Sequence, residues 1–422
     1  MEIYAAVNQM ETQRFLLECS KLGILKKNVK CLKKLGKVLI PLCMKPWTND
    51  NLVHLGNDKW ERSGIIFEVY ENRNCDFPKR MLPKHMKLNK HLKSLLESKG
   101  LWSNDLEDEI PKSWDKFGNI LIFDQDKYFR SARWDLISPE LWIVIGKTMD
   151  VKTIALRGKI HDDKFRSPNV ELVWGNNPWA DFKDNGIRFS WDVTKVMFSP
   201  GNVTERHRMG RTARDGEIVV DLFSGIGYFT LPILVNSETS FVHACEWNPH
   251  AVMALRKNLT QNGVAERCVI HEGDCREVEL SDVADRVILG LLPSSQCGWE
   301  KACQVLKPSG GILHIHENVT SGLGTCVSDA CAECQQLMPV SYEDGGVALV
   351  DGALVAVDRV VRYKQREKRM WAVHMLHTIR NAARSVKGGG QDWGTEILQF
   401  THVKSYAPHI HHLVLDLRLF KL

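Results

Sequence analysis

No apolar run in this 422-residue chain approaches the roughly 20 residues that a membrane-spanning helix needs. The lysines from Lys21 to Lys37 have no long apolar stretch beside them, so a secretory leader is not expected. The twelve cysteines follow no framework, which argues against a disulfide-stapled fold and for reduced thiols in a cytoplasmic protein. Cys331 and Cys334 form one close pair, with Cys326 nearby; zinc needs a second pair at matching spacing, so no metal is expected. Internal repeats and low-complexity tracts are missing too. What remains is an ordinary globular balance, 25% charged and 44% hydrophobic, in a chain too long for one core.

Acid is scarce in the first hundred residues, where 19 Lys and Arg face 10 Asp and Glu. That surplus of nine exceeds the net +5 of the whole chain, so the remainder is slightly acidic. Lys26, Lys27, Lys30, Lys33, Lys34 and Lys37, and a second stretch from Lys79 to Lys93, read either as solvated faces or as a phosphate-facing surface. Neither stretch holds stacking aromatics, so an RNA contact there positions rather than specifies.

Three units are expected. Residues 1–100 form a basic N-terminal module. Residues 101–192 form a small α+β middle domain, with strands at Ile120–Phe123, Leu141–Ile145, Val151–Gly158 and Val170–Gly175. Asn185-Gly186 between two apolar runs signals a tight hairpin. Residues 193–422 form the third and largest unit. A helix from Gln365 to Ala383 packs through Met370, Val373, Leu376 and Ile379, with His374 a packed histidine. Two strand-like runs, 395–406 and 411–419, close the chain.

Most of the chemistry lies in that third unit. Val219-Val220-Asp221 runs into Leu222-Phe223-Ser224-Gly225-Ile226-Gly227 and an apolar helix start. This is the first strand, turn and helix of a doubly wound α/β domain, in which Gly225 and Gly227 let the backbone approach a ligand. A dinucleotide fold wants a third glycine where Thr230 stands, so a cradled pyrophosphate is disfavoured. An acid ending the strand suits a cationic ligand without phosphates, such as S-adenosylmethionine (SAM). Glu246 ends the next strand, 25 residues on, where an acid accepts both ribose hydroxyls. Asp274 follows a third strand, within reach of an adenine amino group. Acids at three successive strand ends make this an α/β, class I SAM-dependent (Rossmann-like) domain. It carries a reversed C-terminal edge strand and is preceded by smaller α/β modules.

The stretch from Ile187 to Arg206, including Phe198-Ser199-Pro200-Gly201-Asn202-Val203-Thr204-Glu205-Arg206, resembles the shared signature of two sister families. These are the tRNA guanine-37 N1-methyltransferases and the wybutosine-synthesising aminocarboxypropyltransferases. The 221–229 loop, Cys245-Glu246-Trp247-Asn248-Pro249, Leu289–Ser295, Gly311–His316 and Val403–His409 are similar to the second family. The resemblance covers roughly residues 111–422 and is strongest from 185 to 320.

This resemblance implies a SAM site at Ser199, Arg206, Asp221, Gly225, Gly227, Glu246, Asp274 and Cys275, the last standing where the family usually has Asn. By charge, Arg206 is a partner for the methionine carboxylate; Glu205 matches a base candidate of the methyltransferase relatives and reads here either as that base or as an ordinary helix-start acid. Pro293, Ser294 and Ser295 would line the substrate pocket. Gly290-Leu291-Leu292 offers no side-chain acceptor before Pro293, which favours a flat, apolar substrate over a guanine held for N1 attack. The implied reaction moves the α-amino-α-carboxypropyl arm of SAM to a tricyclic guanosine derivative at position 37 of phenylalanine tRNA, in its anticodon loop. The alternatives are methyl transfer to guanosine 37 and a non-catalytic tRNA-binding role. Oligomeric state is not legible.

Overall fold

Strand and helix alternate where the sequence alternates β-branched runs with 3.6-residue apolar spacing, and the computed structural model describes them in two units. Described are residues 2–8, 12–21, 31–34, 37–42, 67–72, 83–161, 163, 165, 167–238, 241–320, 347–350, 353–356, 366–388 and 393–422. The first unit spans Met1–Lys112 and the second Ser113–Leu422. Lys26, Lys27, Lys30, Lys79, Arg80, Cys326, Cys331 and Cys334 lie outside the described residues.

In the first unit, β1 (Glu2–Asn8) is followed by α1 (Thr12–Lys21), β2 (Leu32–Lys34), β3 (Lys37–Leu42) and β4 (Phe67–Asn72). The strands form one sheet in the order β2-β3-β1-β4. Helix α2 (Lys84–Ser98) buries Leu88, Leu92 and Leu96, a four-residue spacing that stacks them on one face. Lys84 and Lys90 stay exposed.

The second unit begins with β5 (Asp115–Phe117), β6 (Ile120–Asp124), α3 (Glu140–Met149), β7 (Thr153–Arg157) and β8 (Val170–Trp174). Their sheet order is β5-β6-β7-β8. The strand expected at Leu141–Ile145 is instead helix α3, with Pro139 at its N-cap and Asp150 in the left-handed region closing it. Leu141, Trp142, Ile145 and Met149 are buried while Ile143 is exposed. A five-residue apolar run cannot by itself separate a buried helix from a strand. The hairpin expected at Asn185-Gly186 joins β9 (Trp179–Asp184) to β10 (Ile187–Asp192), with both turn residues at positive φ.

After α4 (Val203–Met209) come β11 (Ile218–Asp221), α5 (Thr230–Asn236), β12 (Phe241–Glu246), α6 (Pro249–Gln261), β13 (Cys268–Glu272), β14 (Arg286–Leu289), α7 (Trp299–Val305) and β15 (Gly310–Thr320). A two-stranded pair, β16 (Val347–Val350) and β17 (Ala353–Ala356), precedes α8 (Arg366–Lys387), β18 (Trp393–Ala407) and β19 (Ile410–Lys421). The central sheet has the order β13-β12-β11-β14-β15-β19-β18. Its first five strands are parallel, and β19 runs antiparallel to β15. The reversed strand therefore lies one place in from the edge, which β18 occupies. Trp371, Leu376 and Ile379 of α8 join α7 in the core on one face. Ile233 of α5 and Leu255 of α6 join the other. The strand order reverses between β11 and β14, which opens a crevice outside their carboxyl ends.

Candidate active site

The crevice floor is the turn after β11. Gly225 and Gly227 adopt φ of 56° and 98°, a region open to glycine but costly for other residues. A Cβ on Gly227 would come within 2.8 Å of Leu231, so its bareness also lets the turn pack on α5. Ser224 anchors the turn to β12, donating from both its amide and its hydroxyl to the Cys245 carbonyl.

Glu246 ties the same turn from the end of β12. Its Oε2 accepts from the Gly225 amide at 2.8 Å and its Oε1 from the Asn248 amide at 2.8 Å. Each oxygen keeps a lone pair, which fits a vicinal diol. Burial pushes this carboxyl up against the pull of those amides. Asp221 is fully buried, accepts from the Thr230 hydroxyl at 2.8 Å, and is pushed up to about 7 by desolvation, with Glu246 adding to the rise. A buried acid beside a half-buried one, with no ion pair to either among the described residues, suits a positively charged, hydroxyl-bearing ligand.

Gly273, at φ 127°, has nothing within 4 Å of where a Cβ would stand, and its amide donates to the Glu246 carbonyl. Space for a flat ring therefore lies beside Glu246. Asp274, next along, is paired with Arg276 through both carboxylate oxygens, and that pairing holds it below its usual range. Its side chain is already engaged by a cation. Cys275 points away from this space, into the core beside Cys245, and burial pushes its thiol up to about 12.

Three of the expected residues have protein partners. Arg206 is fully buried and engaged by the protein: Nε and Nη2 donate to Asp184 at 3.1 and 2.9 Å, and Nη1 to the Ser199 carbonyl at 3.2 Å. Its guanidinium lies 5.4 Å from the Phe198 ring. It fastens the Ser199 turn to the β9–β10 hairpin. Glu205 is also buried, and both its oxygens are taken by Arg208 at 2.7 and 2.9 Å. Ser295 is buried, with its hydroxyl accepting from the Trp299 indole at 3.3 Å, so it supports the loop from below. Pro293 remains exposed at the crevice rim, where its carbonyl accepts from the Asn318 amide, and Ser294 bridges to Glu317.

Tyr228 is a site residue that motif reading missed, although it sits inside the motif. Its hydroxyl accepts from the Ser199 amide at 3.0 Å and donates to the Met197 carbonyl at 2.8 Å. One phenol thus locks the Ser199 turn to the glycine turn. Behind it runs a largely buried network of hydrogen-bonded polar groups: Glu217, Arg286, His314, Asp416, Arg208 and Glu205. His316 continues it, 3.9 Å from Glu205. Among the described residues no group of three or more His, Cys, Asp or Glu is arranged to hold a metal ion, and no helix is long and apolar enough to cross a membrane.

Comparison with known proteins agrees with this architecture. Residues 181–328 match the TRM5/TYW2 methyltransferase domain and residues 92–178 the TYW2 N-terminal domain. The chain is 44% identical over 333 residues to the tRNA wybutosine-synthesizing protein 2 homolog of Homo sapiens, covering 76% of this chain and 72% of that one. The Danio rerio homolog is 44% identical over 337 residues, 79% of this chain and 78% of its own. The P. horikoshii TYW2 crystal structure, in complex with MeSAdo, superposes with a TM-score of 0.55 at 26% identity, over 79% of this chain and 100% of that one. The chain belongs to the tRNA wybutosine-synthesizing protein 2 family.

Proposed function

We propose that this protein transfers the α-amino-α-carboxypropyl group of SAM to the tricyclic wybutosine precursor at guanosine 37 of phenylalanine tRNA, releasing methylthioadenosine. The observation that carries this reading is the 44% identity to tRNA wybutosine-synthesizing protein 2 homologs across three quarters of the chain. The MeSAdo in the P. horikoshii relative supports it, since methylthioadenosine is the by-product of arm transfer and not of methyl transfer.

Bound SAM supplies a sulfonium that activates each of its three attached carbons, so placement decides which one moves. In this reading Glu246 accepts the ribose hydroxyls, and Gly225 and Gly227 let the arm pass close to the backbone. Asp221 supplies the buried negative charge that a cationic ligand needs. Asp274 and the backbone of Cys275 border the adenine. Pro293 and Ser294, after the acceptor-free Gly290-Leu291-Leu292 stretch, form the wall for a flat base. Ser199, Tyr228, Arg206 and Glu205 hold that arrangement from behind as positioning residues. An anticodon-loop base is unpaired, so it can be splayed out and stacked in such a pocket at modest cost.

The test is incubation of the protein with tRNA and carboxyl-labelled SAM, followed by mass spectrometry of the RNA. Label in the RNA, with methylthioadenosine released, is the expected result. Unlabelled RNA with S-adenosylhomocysteine released would make the protein a methyltransferase instead.

A further inference from the structure

The β18–β19 hairpin ends beside the crevice and carries basic and aromatic groups that the proposed transfer does not use. Its tip is placed by two independent contacts. Strand β19 pairs along the whole of β15, so His412 lies opposite Asn318 and Val414 opposite His316, next to the Pro293–Ser294 rim. On the other side Lys404 reaches the Ser199 turn: its Nζ lies 2.9 Å from where a Cβ on Gly201 would stand. Gly201 is bare where a lysine head occupies the space. The same turn is bolted to the glycine turn through Tyr228.

Around Lys404 the surface has a consistent character. Its Nζ lies 4.4 Å from the Tyr406 ring centre, and that ring is 47% exposed. His402 and His411 pack edge to face at 5.2 Å, with the Ser405 hydroxyl 2.9 Å from His411 Nδ1. Among the described residues, every charged group that shifts His402, His411 or His412 is itself basic. Burial lowers all three first; Lys368 lowers His402 and His411 further, the Lys404 backbone pulls His402 part of the way back, and Lys404 and His402 lower His412 to about 4. A cluster of cationic and imidazole groups that repel protons from one another offers a place for an external anion.

We propose that this hairpin tip is where the RNA strand docks at the mouth of the site, Lys404 pairing with a backbone phosphate and Tyr406 stacking an exposed base. The inference rests on the tRNA reading above and adds the face on which the RNA lies. Phosphate pairing by one lysine fixes register without reading sequence, and an exposed ring stacks any base. The pocket then needs to recognise only the reacting nucleotide.

The experiment uses the full chain and an unmodified phenylalanine tRNA transcript, with binding measured by fluorescence anisotropy from low to moderate salt. Lys404→Gln is expected to weaken tRNA binding about tenfold and to lower the salt slope by about one, with SAM affinity unchanged. Lys404→Arg keeps the charge and retains both. Tyr406→Ala weakens binding about fivefold with the salt slope unaltered, and Tyr406→Phe retains the wild-type affinity. Wild-type tRNA affinity and slope in Lys404→Gln would overturn the proposal. Binding is read without turnover. If the released by-product proves to be S-adenosylhomocysteine, the docking face stands and the arm-transfer reading falls.

Discussion

Asp221 and Asp416 are both carboxylates with almost no exposure, at 0% and 4%, yet their surroundings are opposite. Asp221 has a hydroxyl and a backbone amide for partners, and burial lifts it to about 7. At Asp416 burial pushes the same way, but His314 and Arg208 more than offset it and hold the carboxyl well below the usual range. The first is a charge left unbalanced at a crevice; the second is one link in a chain of balanced charges inside the fold. Burial alone therefore does not mark a site. The unmet charge does, because a ligand can meet it.

The sharpest way to break this contrast is Asp416→Ala, which strands Arg208 and His314 in the core. Breaking a buried pair by removing one partner costs about 3–5 kcal/mol. Urea denaturation of the full chain should show a loss of that order; a loss within measurement error would mean that the network is not structural. Glu246→Ala should do the reverse, weakening SAM binding by about 1–3 kcal/mol as two hydroxyls lose a charged acceptor. Calorimetry giving an unchanged SAM affinity in the folded variant would remove Glu246 from the site.

Asp221 gives a smaller effect with a definite sign. Its folded pKa lies above the unfolded value, so its contribution to stability is full at low pH and is lost as pH rises through about 7. The ligand-free protein should lose about 1 kcal/mol between pH 6 and pH 8 that Asp221→Asn does not lose. SAM, being cationic, should bind more tightly as the carboxyl ionises. Parallel melts of both proteins at the two pH values check the difference, and identical pH dependence would contradict it.

The smallest effect on stability belongs to a third kind of charge, the solvated one. Replacing Lys84, Lys87 and Lys90 of α2 by Gln should leave stability within about 0.5 kcal/mol. If the basic first hundred residues touch tRNA, as their surplus of nine positive charges suggests, the same variant lowers the salt slope of tRNA binding. An unaltered slope would leave those lysines as surface alone.

The placement of the expected cofactor residues was legible in the sequence where its parts are contiguous. Asp221, Gly225, Gly227 and Glu246 stand at strand ends and in a turn whose geometry follows from a few neighbouring residues, and the structure brings all four together. Asn185-Gly186 was legible for the same reason, since a two-residue turn is a local event. Leu141–Ile145 was not, because a short apolar run carries no period to choose between helix and strand. The protein partners of Arg206, Glu205 and Ser295 were not legible although their positions match the family signature. A sequence shows that a charge or hydroxyl is present, not which neighbour takes it.

The sequence by itself determined the cofactor-domain architecture, the acids at its strand ends and the family signature, because strand, turn and helix signals act over a few residues. Tertiary structure alone decided which charges are unmet. Arg206 meets Asp184 across 22 residues and Arg208 meets Asp416 across 208. It also set Lys404 against Gly201 and Ser294 against Glu317. Electrostatic partnership depends on distance in space and on the loss of water, and neither is encoded at any single position of the chain.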